Sequence, residues 1–320
     1  MKKIKTIIIG LGRVGFQYDE KISSKNIILS HSKAIKENKQ FSLEGGVDKN
    51  LKIKKSFEKK NKVKMFTDIK KCLRETFFDL GVISVPPKFQ FNYFKSLAKR
   101  KIKYIICEKP ISERYKDSLK LLKIAKKEKI FVMVNFIRRF NPAIIRLNED
   151  LKSTKLGKIT HGVFWYTTGL QNGGCHFIDL IIYFFGKPLS VNAINKNNIM
   201  NKKDPSPDIL FKYKNFTIYL LSTNNQNFET GKFEIFSSKY LIKYEDDHPI
   251  RFYQKKISKI YKNENNLFLY KKYDYKKNIN ISYLYDQFLI NLKKGDSNLK
   301  EAIYTLKLTK KIIKEYYAKK

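Results

Sequence analysis

Ile4-Lys5-Thr6-Ile7-Ile8-Ile9-Gly10-Leu11-Gly12-Arg13-Val14-Gly15 decides the fold of this 320-residue chain. A short, nearly continuous apolar run that meets glycines at once is the mark of a strand buried on both faces and ending in a tight loop. Working outward from it, strands are expected at residues 4–9, 41–47, 63–66, 80–85, 102–107 and 130–135. Helical patterns alternate with them at 30–38, 51–60, 68–75, 89–100 and 113–127. Such alternation implies a parallel sheet covered on both faces.

Beyond Arg138 the texture changes. A helix at 141–151 leads to an alternating strand at 159–167 and a helix at 176–185. Strand-like runs follow, among them 209–213, 216–222, 232–237 and 240–244, and helices at 282–293 and 298–317 close the chain. This half reads as a mainly antiparallel open sheet with helices on one side. The expected fold class is therefore α/β, with a doubly wound parallel sheet over residues 1–137 and a second α/β domain over 138–320.

Composition bounds the function. The formal charge of +38 invites a nucleic-acid reading. Only eight of the 67 cationic residues are arginine, however, and the abundant Ile, Asn, Phe and Tyr share A/T-rich codons with lysine. Cationic residues are spread along the chain without a basic tail or an arginine cluster for forked contacts. Specific nucleic-acid binding is the weakest reading. Three cysteines, Cys72, Cys107 and Cys175, have neither paired nor metal-ligand spacing, which points to a reducing compartment and no metal. No run reaches the roughly 20 apolar residues that cross a bilayer, so the expectation is a cytoplasmic protein without a membrane partner.

The glycine loop carries the first chemistry. Gly10 permits a tight turn, Gly12 lets a pyrophosphate approach the backbone, and Gly15 allows close packing of helix on strand. The diphosphate then lies on a helix N-terminus, which is the Rossmann arrangement. The second strand ends at Val47-Asp48, where a carboxylate accepts hydrogen bonds from an adenosine ribose and repels a 2′-phosphate. This favours NAD, with NADP as the alternative because Lys49 follows. Asp48 lies 33 residues past Gly15, against a usual spacing of about 20, which implies an insertion around 17–30. The diproline Pro86-Pro87 is either a stiff wall beside the nicotinamide ribose or a strand terminator. Glu108-Lys109-Pro110 ends the fifth strand and puts Lys109 at the carboxyl edge, where open α/β sheets hold ligands.

GLGRVG, VDKN, ISVPP, CEKP, NFIRRFNP and GGCHFID, in that order and spacing over residues 4–186, resemble the Gfo/Idh/MocA family of nicotinamide-dependent oxidoreductases. The resemblance implies a Rossmann domain, and then an α/β domain whose open sheet has a substrate site on one face and an oligomer contact on the other. It also implies hydride transfer at a carbon of a sugar, cyclitol or nucleotide-linked sugar, with Lys109 and His176 as the acid/base pair. The chemistry suits them, since oxidising a secondary alcohol needs both a proton acceptor and a cation near the developing alkoxide. Histidine titrates near neutrality, and a desolvated lysine moves toward that range.

Two departures from the family pattern qualify this reading. Many relatives carry an aspartate where Asn172 stands, and a histidine at about the place of Gln90. Asn172 can bond a hydroxyl but cannot take a proton, which motivates an alternative: a cofactor-binding regulatory or scaffold protein. Arg138 and Arg139, where the chain crosses between domains, either contact the nicotinamide region or an anionic substrate, or form a structural interdomain salt bridge. Asp179 reads as structural support for the histidine, and His31 as a surface helix residue in preference to a cleft residue. The expected cofactor-binding residues are Gly10, Gly12, Arg13, Val14, Gly15, Asp48, Pro86, Glu108 and Lys109. The expected substrate-binding residues are Arg139, Tyr166, Asn172 and His176, in a homodimer or homotetramer.

Overall fold

β1 (Ile4–Ile9) runs through the centre of a six-stranded sheet, with Ile7, Ile8 and Ile9 fully buried. The computed structural model describes residues 2–24, 26–195, 204–223, 230–258, 265–274 and 280–318. β2 (Phe41–Val47), β3 (Met65–Phe66), β4 (Leu80–Ile83), β5 (Tyr104–Glu108) and β6 (Phe131–Asn135) complete the sheet. All are parallel, in the order β3-β2-β1-β4-β5-β6. Between them run α1 (His31–Glu37), α2 (Lys54–Asn61), α3 (Ile69–Glu75), α4 (Pro87–Lys99) and α5 (Tyr115–Lys127). The strand order reverses between β1 and β4, so the loops leaving those strands part and open a crevice at the carboxyl edge.

The helix that follows the glycine loop is broken at the insertion expected around 17–30. Residues after Gly12 make a single turn, with Phe16 N bonding Gly12 O at 2.9 Å and Tyr18 N bonding Arg13 O at 2.9 Å. Regular helix resumes only at His31, whose backbone N–H bonds Val14 O at 2.8 Å, while Ser32 N bonds Gly15 O at 3.0 Å. Residues 17–24 and 26–30 are thus looped out of a helix whose hydrogen-bond ladder closes across the gap. Asp19, 2% exposed, holds the loop shut by accepting from Leu29 N at 2.8 Å, Ser30 N at 3.0 Å and Ser30 Oγ at 2.5 Å. Ser30 in turn caps α1 by accepting from Lys33 N. A buried carboxylate saturated by hydrogen bonds is stable where a bare one is not.

The second sheet is mainly antiparallel. After α6 (Pro142–Lys152) come β7 (Ile159–Tyr166), α7 (Cys175–Phe185), β8 (Ser190–Asn195), β9 (Asp208–Lys212), β10 (Thr217–Ser222), β11 (Gly231–Ser237), β12 (Leu241–Glu245), β13 (Ile250–Ile257) and β14 (Asn265–Tyr273). Their order is β14-β13-β12-β11-β7-β10-β9-β8, and β7 with β10 is a parallel pair in an otherwise antiparallel array. Phe164 and Phe233 lie 4.9 Å apart on one face. Phe177 and Phe184 of α7 pack edge-on against them at 6.4 and 5.8 Å, which seats that helix on the sheet.

The chain forms two compact units, Met1–Ile137 with Ile279–Tyr304, and Arg138–Asn278 with Thr305–Lys320. The second domain, expected as an unbroken 138–320, is therefore interrupted. α8 (Ser282–Lys294) belongs to the first unit, and α9 (Leu299–Ala318) begins there. The cause is aromatic packing. Phe288 sets its ring 6.0, 5.9 and 5.6 Å from those of Phe41, Tyr104 and Phe131, the first residues of β2, β5 and β6. Asn298 adds bonds to the backbone N and O of Val134 at 2.8 and 2.9 Å.

All three cysteines are buried outside any disulfide. Burial, with the Glu75 charge adding, pushes the Cys72 thiol up to about 12, and burial also pushes the Cys107 thiol up. Because the thiolate is the reactive form, both should stay unreacted with Ellman's reagent at pH 8 in the folded protein and react in guanidinium. Prompt modification of either residue in the native protein would contradict this packing. Among the described residues no helix is long and apolar enough to cross a membrane, and no group of three or more His, Cys, Asp or Glu could hold a metal.

Candidate active site

The loop after β1 is closed on two sides and open on the third. Gly10 has φ +93°, and a Cβ there would come within 2.5 Å of Ser84 O; one at Gly15 would come within 2.0 Å of Gly10 O. A Cβ at Gly12 would meet nothing within 4 Å. The first two glycines are thus required by the protein's own packing, whereas Gly12 borders empty space, as a loop that lets a ligand touch its backbone must.

That space is a cavity of about 240 Å³, lined by Gly10, Gly12, Val47, Asp48, Lys49, Ser84, Val85, Pro86, Phe89 and Tyr93. Gly10, Gly12, Asp48 and Pro86 therefore come together as expected residues. Arg13 is exposed and Val14 half-buried, and neither lines the cavity. Asp48 does structural work as well, since its carboxylate accepts from Leu11 N at 2.7 Å and Asn50 N at 2.8 Å. An ionised carboxylate offers about four lone-pair sites, so a ribose hydroxyl can still be accepted. Sequence reasoning missed Phe89 and Tyr93. Their signal was the i, i+4 spacing of two aromatics on the helix that the diproline starts. The Tyr93 phenol is held protonated beyond its usual range, chiefly by burial and next by the Asp48 and Asp68 charges.

The Asp48 charge should set cofactor preference. Asp48→Asn keeps an acceptor for Leu11 N but removes the charge facing a 2′-phosphate, leaving Lys49 beside it. NADPH binding relative to NADH should rise about fivefold or more, the equivalent of a like-charge repulsion of about 1 kcal/mol near water. Fluorescence titration of both nucleotides checks this, and an unchanged ratio would mean that another group reads the ribose.

Lys109 follows β5 and is half-buried, with a cis peptide bond to Pro110. Its backbone is clamped by Gln90, 1% exposed, whose Nε2 donates to Glu108 O and Pro110 O, both at 3.0 Å. The residue that departs from the family pattern thus bonds the carbonyls on both sides of the lysine. The Glu108 carboxylate is taken up by protein. Oε1 accepts from Asn135 Nδ2 at 2.7 Å and faces His31 Nε2 at 3.0 Å, and neither Glu108 nor Lys109 lines the cavity. His31, expected on a helix surface, has no exposed surface at all, and its Nδ1 lies 2.9 Å from Tyr285 Oη. The sequence could not disclose this, because Tyr285 lies 254 positions away.

In the second unit, β7 runs into a wider helical turn, Leu170–Gly174, and His176 then occupies the first turn of α7, buried. A Cβ at Gly173 would come within 2.3 Å of Thr167 O, so this close approach requires glycine. Asp204 carboxylate oxygens accept from Gln171 N at 2.8 Å and Asn172 N at 3.1 Å, pinning the start of the turn. Asp204 thus brings an acid beside Asn172 from 32 residues away, with no local signal in the sequence. Asn172 is exposed. Tyr166 is fully buried and donates to Pro207 O at 2.8 Å, so its hydroxyl serves packing.

Both arginines are ion-paired. Arg139, 4% exposed, sets Nε 2.8 Å from Asp179 Oδ2 and its guanidinium 4.6 Å from the centre of the Tyr183 ring. Arg138 pairs with Asp246 at 2.8 Å and stacks on Phe177 at 5.0 Å. Both partners lie in the same unit as the arginines, so the salt bridges are not the interdomain ones expected. Asp179 lies three residues past His176 on α7, so the Arg139 pair fixes the helix that carries the histidine.

Residues 4–136 match the profile of an oxidoreductase family with an NAD-binding Rossmann fold, Gfo/Idh/MocA. An uncharacterized oxidoreductase of Schizosaccharomyces pombe is 28% identical over 149 residues, a match that spans 41% of this chain and 40% of that relative. Among solved structures, a proposed NADPH-dependent oxidoreductase from Desulfitobacterium hafniense superposes with a TM-score of 0.82 at 14% identity, covering 100% of this chain and 97% of its own. The WlbA dehydrogenase of Bordetella pertussis, solved with NADH and UDP-GlcNAcA, gives 0.74 at 16% identity, covering 99% and 97%. At these identities the structural likeness is one of fold.

Proposed function

We propose that this chain, whose residues 4–136 match the Gfo/Idh/MocA oxidoreductases with their NAD-binding Rossmann fold, is an NAD-dependent dehydrogenase or reductase acting on a sugar-type hydroxyl or carbonyl. The observation that carries the proposal is the cavity at the β1/β4 reversal, bordered by the open side of Gly12 and by the Asp48 carboxylate. The cofactor fits these residues. Gly12 admits the diphosphate, Asp48 takes the ribose, and Phe89 and Tyr93 supply apolar walls.

Bound NAD supplies the two-electron acceptor or donor. Lys109 holds a cation where negative charge grows on the substrate oxygen, and His176 takes the hydroxyl proton or, in reduction, returns it. Gln90, by clamping the carbonyls flanking Lys109, limits where the ammonium can go. Arg139 and Asp179 do the same for His176 by anchoring α7. A sugar or nucleotide-linked sugar suits the exposed amide of Asn172, and the UDP-sugar bound by the WlbA dehydrogenase makes that class the first to try. A homo-oligomer belongs to the same proposal, supported by the exposed apolar side chains Leu267, Leu269 and Tyr270 on β14.

Purified protein should bind NADH and change absorbance at 340 nm with at least one member of a panel of sugars, cyclitols and nucleotide sugars. NADH binding without turnover across the panel would favour a cofactor-binding regulatory protein. Failure to bind either nucleotide would sink the proposal.

A further inference from the structure

The looped-out segment, residues 17–24 and 26–30, ends by delivering a histidine into the interior of the first unit. Its shape is locked by Asp19, and from outside by the Lys33 ammonium, which donates to Ser24 O at 2.6 Å. Lys60 Nζ adds a bond to Asp19 O at 3.0 Å. The helix that restarts at His31 therefore holds a fixed position relative to β1.

His31 faces hydrogen-bonding groups at both ring nitrogens. A carboxylate only accepts, so the hydrogen between His31 Nε2 and Glu108 Oε1 is carried by the imidazole. The Tyr285 phenol, on α8, is fully buried, and burial together with the Glu108 charge holds its proton far above the usual tyrosine range. Tyr285 O–H therefore donates to Nδ1 of a neutral ring, or accepts from a protonated one, and in both states Nε2–H points at Glu108. Asn135 Nδ2 donates to the same carboxylate oxygen. Burial leaves water little opportunity to replace these donors.

We infer that His31 is a positioning residue for Lys109: it anchors the Glu108 side chain, and thereby one end of the peptide that presents the lysine at the sheet edge. Gln90 holds the carbonyls of Glu108 and Pro110, while His31, backed by Tyr285, holds the Glu108 side chain. The lysine is thus mounted between two clamps, one from α4 and one from the restarted α1. The inference rests on the assignment of Lys109 to acid/base chemistry.

Four variants test it: His31→Ala, His31→Gln, Tyr285→Phe and Lys109→Ala. Turnover is read at 340 nm with the panel compound giving the fastest change, NADH affinity by fluorescence, and hydrogen exchange on peptides spanning residues 105–112. His31→Ala should lower kcat by roughly 10- to 100-fold, the scale of a misplacement near 1 Å. NADH affinity should stay within about threefold, since Glu108 and His31 do not line the cavity, and exchange over 105–112 should quicken. His31→Gln, which keeps an N–H donor, should recover most of the loss, and Tyr285→Phe should give a smaller loss with the fold intact. The two conservative variants carry the test if His31→Ala does not fold. Unchanged exchange over 105–112, unchanged kcat in His31→Ala, or parallel loss of kcat and NADH affinity without recovery in His31→Gln would each overturn the inference. Full turnover in Lys109→Ala would instead sink the assignment of the lysine, and this inference with it. An inactive Lys109→Ala beside a fully active His31→Ala would sink the inference alone.

Discussion

Lys109→Ala is expected to lower kcat by about 10³-fold or more while NADH binds within a few fold of the parent protein. The size follows from two losses at one position. A general acid/base group contributes roughly 10²- to 10⁴-fold, and removing a preorganised charge from a developing oxyanion costs a similar factor. The selectivity follows from geometry, because Lys109 does not line the cavity bounded by Gly12 and Asp48. Its backbone is also held by Gln90 through the neighbouring carbonyls, so deleting the side chain leaves the strand end in place. Steady-state turnover and NADH fluorescence measured on the same preparation give the answer. Retention of more than about a tenth of kcat, far above what loss of an acid/base group allows, would take the lysine out of the chemistry. Loss of NADH affinity in proportion to kcat would reduce it to a cofactor contact. Lys109→Met, which keeps the stem, separates loss of charge from loss of packing.

The parallel half of the fold was legible because local and global signals agree there. Ile7 to Ile9 can be buried on both faces only in a covered parallel sheet, and Gly15 is demanded by the carbonyl of Gly10 five residues before it, while Gly10 is demanded by Ser84 at the end of the neighbouring strand β4. What escaped the sequence depends on long-range pairing. The long Gly15-to-Asp48 spacing disclosed an insertion around 17–30, but not that the ladder from Val14 and Gly15 closes onto His31 and Ser32, a closure that Asp19 makes and no periodicity shows. α8 has a helical pattern that could have been covered by either sheet. Phe288 finds its place among Phe41, Tyr104 and Phe131, so the chain returns to the first unit.

The site residues divide in the same way. Asp48 and Pro86, on strand ends, follow the rule that ligands gather at the carboxyl edge and line one cavity, whereas Lys109 stands at the same edge without lining it. Those whose role depends on a distant partner were not located by that rule. Arg139 lies 40 positions from Asp179 and His31 lies 77 from Glu108, and both have become buried supports. A buried polar side chain must find a partner, and without the fold its identity is undetermined. Asp204 illustrates the point for the second unit, where an acid reaches the backbone of Asn172 from a segment that carries no motif.

His176→Ala is expected to lower kcat by roughly 10²- to 10⁴-fold, the range for loss of a general acid/base group, and to remove the limb of the pH–rate profile that the imidazole imposes. The structural part of the argument is orientation. His176 occupies the first turn of a helix that is nearly all buried, and that helix is fastened to its unit by the Arg139–Asp179 pair, by Phe177 on Phe164 and by Phe184 on Phe233. Its ring is thus delivered by a rigid element, the arrangement that keeps a proton-transfer group within reach of its partner. Asn172, four residues earlier, cannot supply a proton, and the Asp204 carboxylate beside it accepts from the backbone of Gln171 and Asn172, so the proposal assigns the proton transfer at this turn to the histidine. His176→Gln retains hydrogen bonding without titrating, and should show the flattened pH profile with a smaller effect on substrate KM than on kcat. A variant that loses rate but keeps the parent pH profile would make His176 a packing residue, and proton transfer would then fall to Lys109 alone.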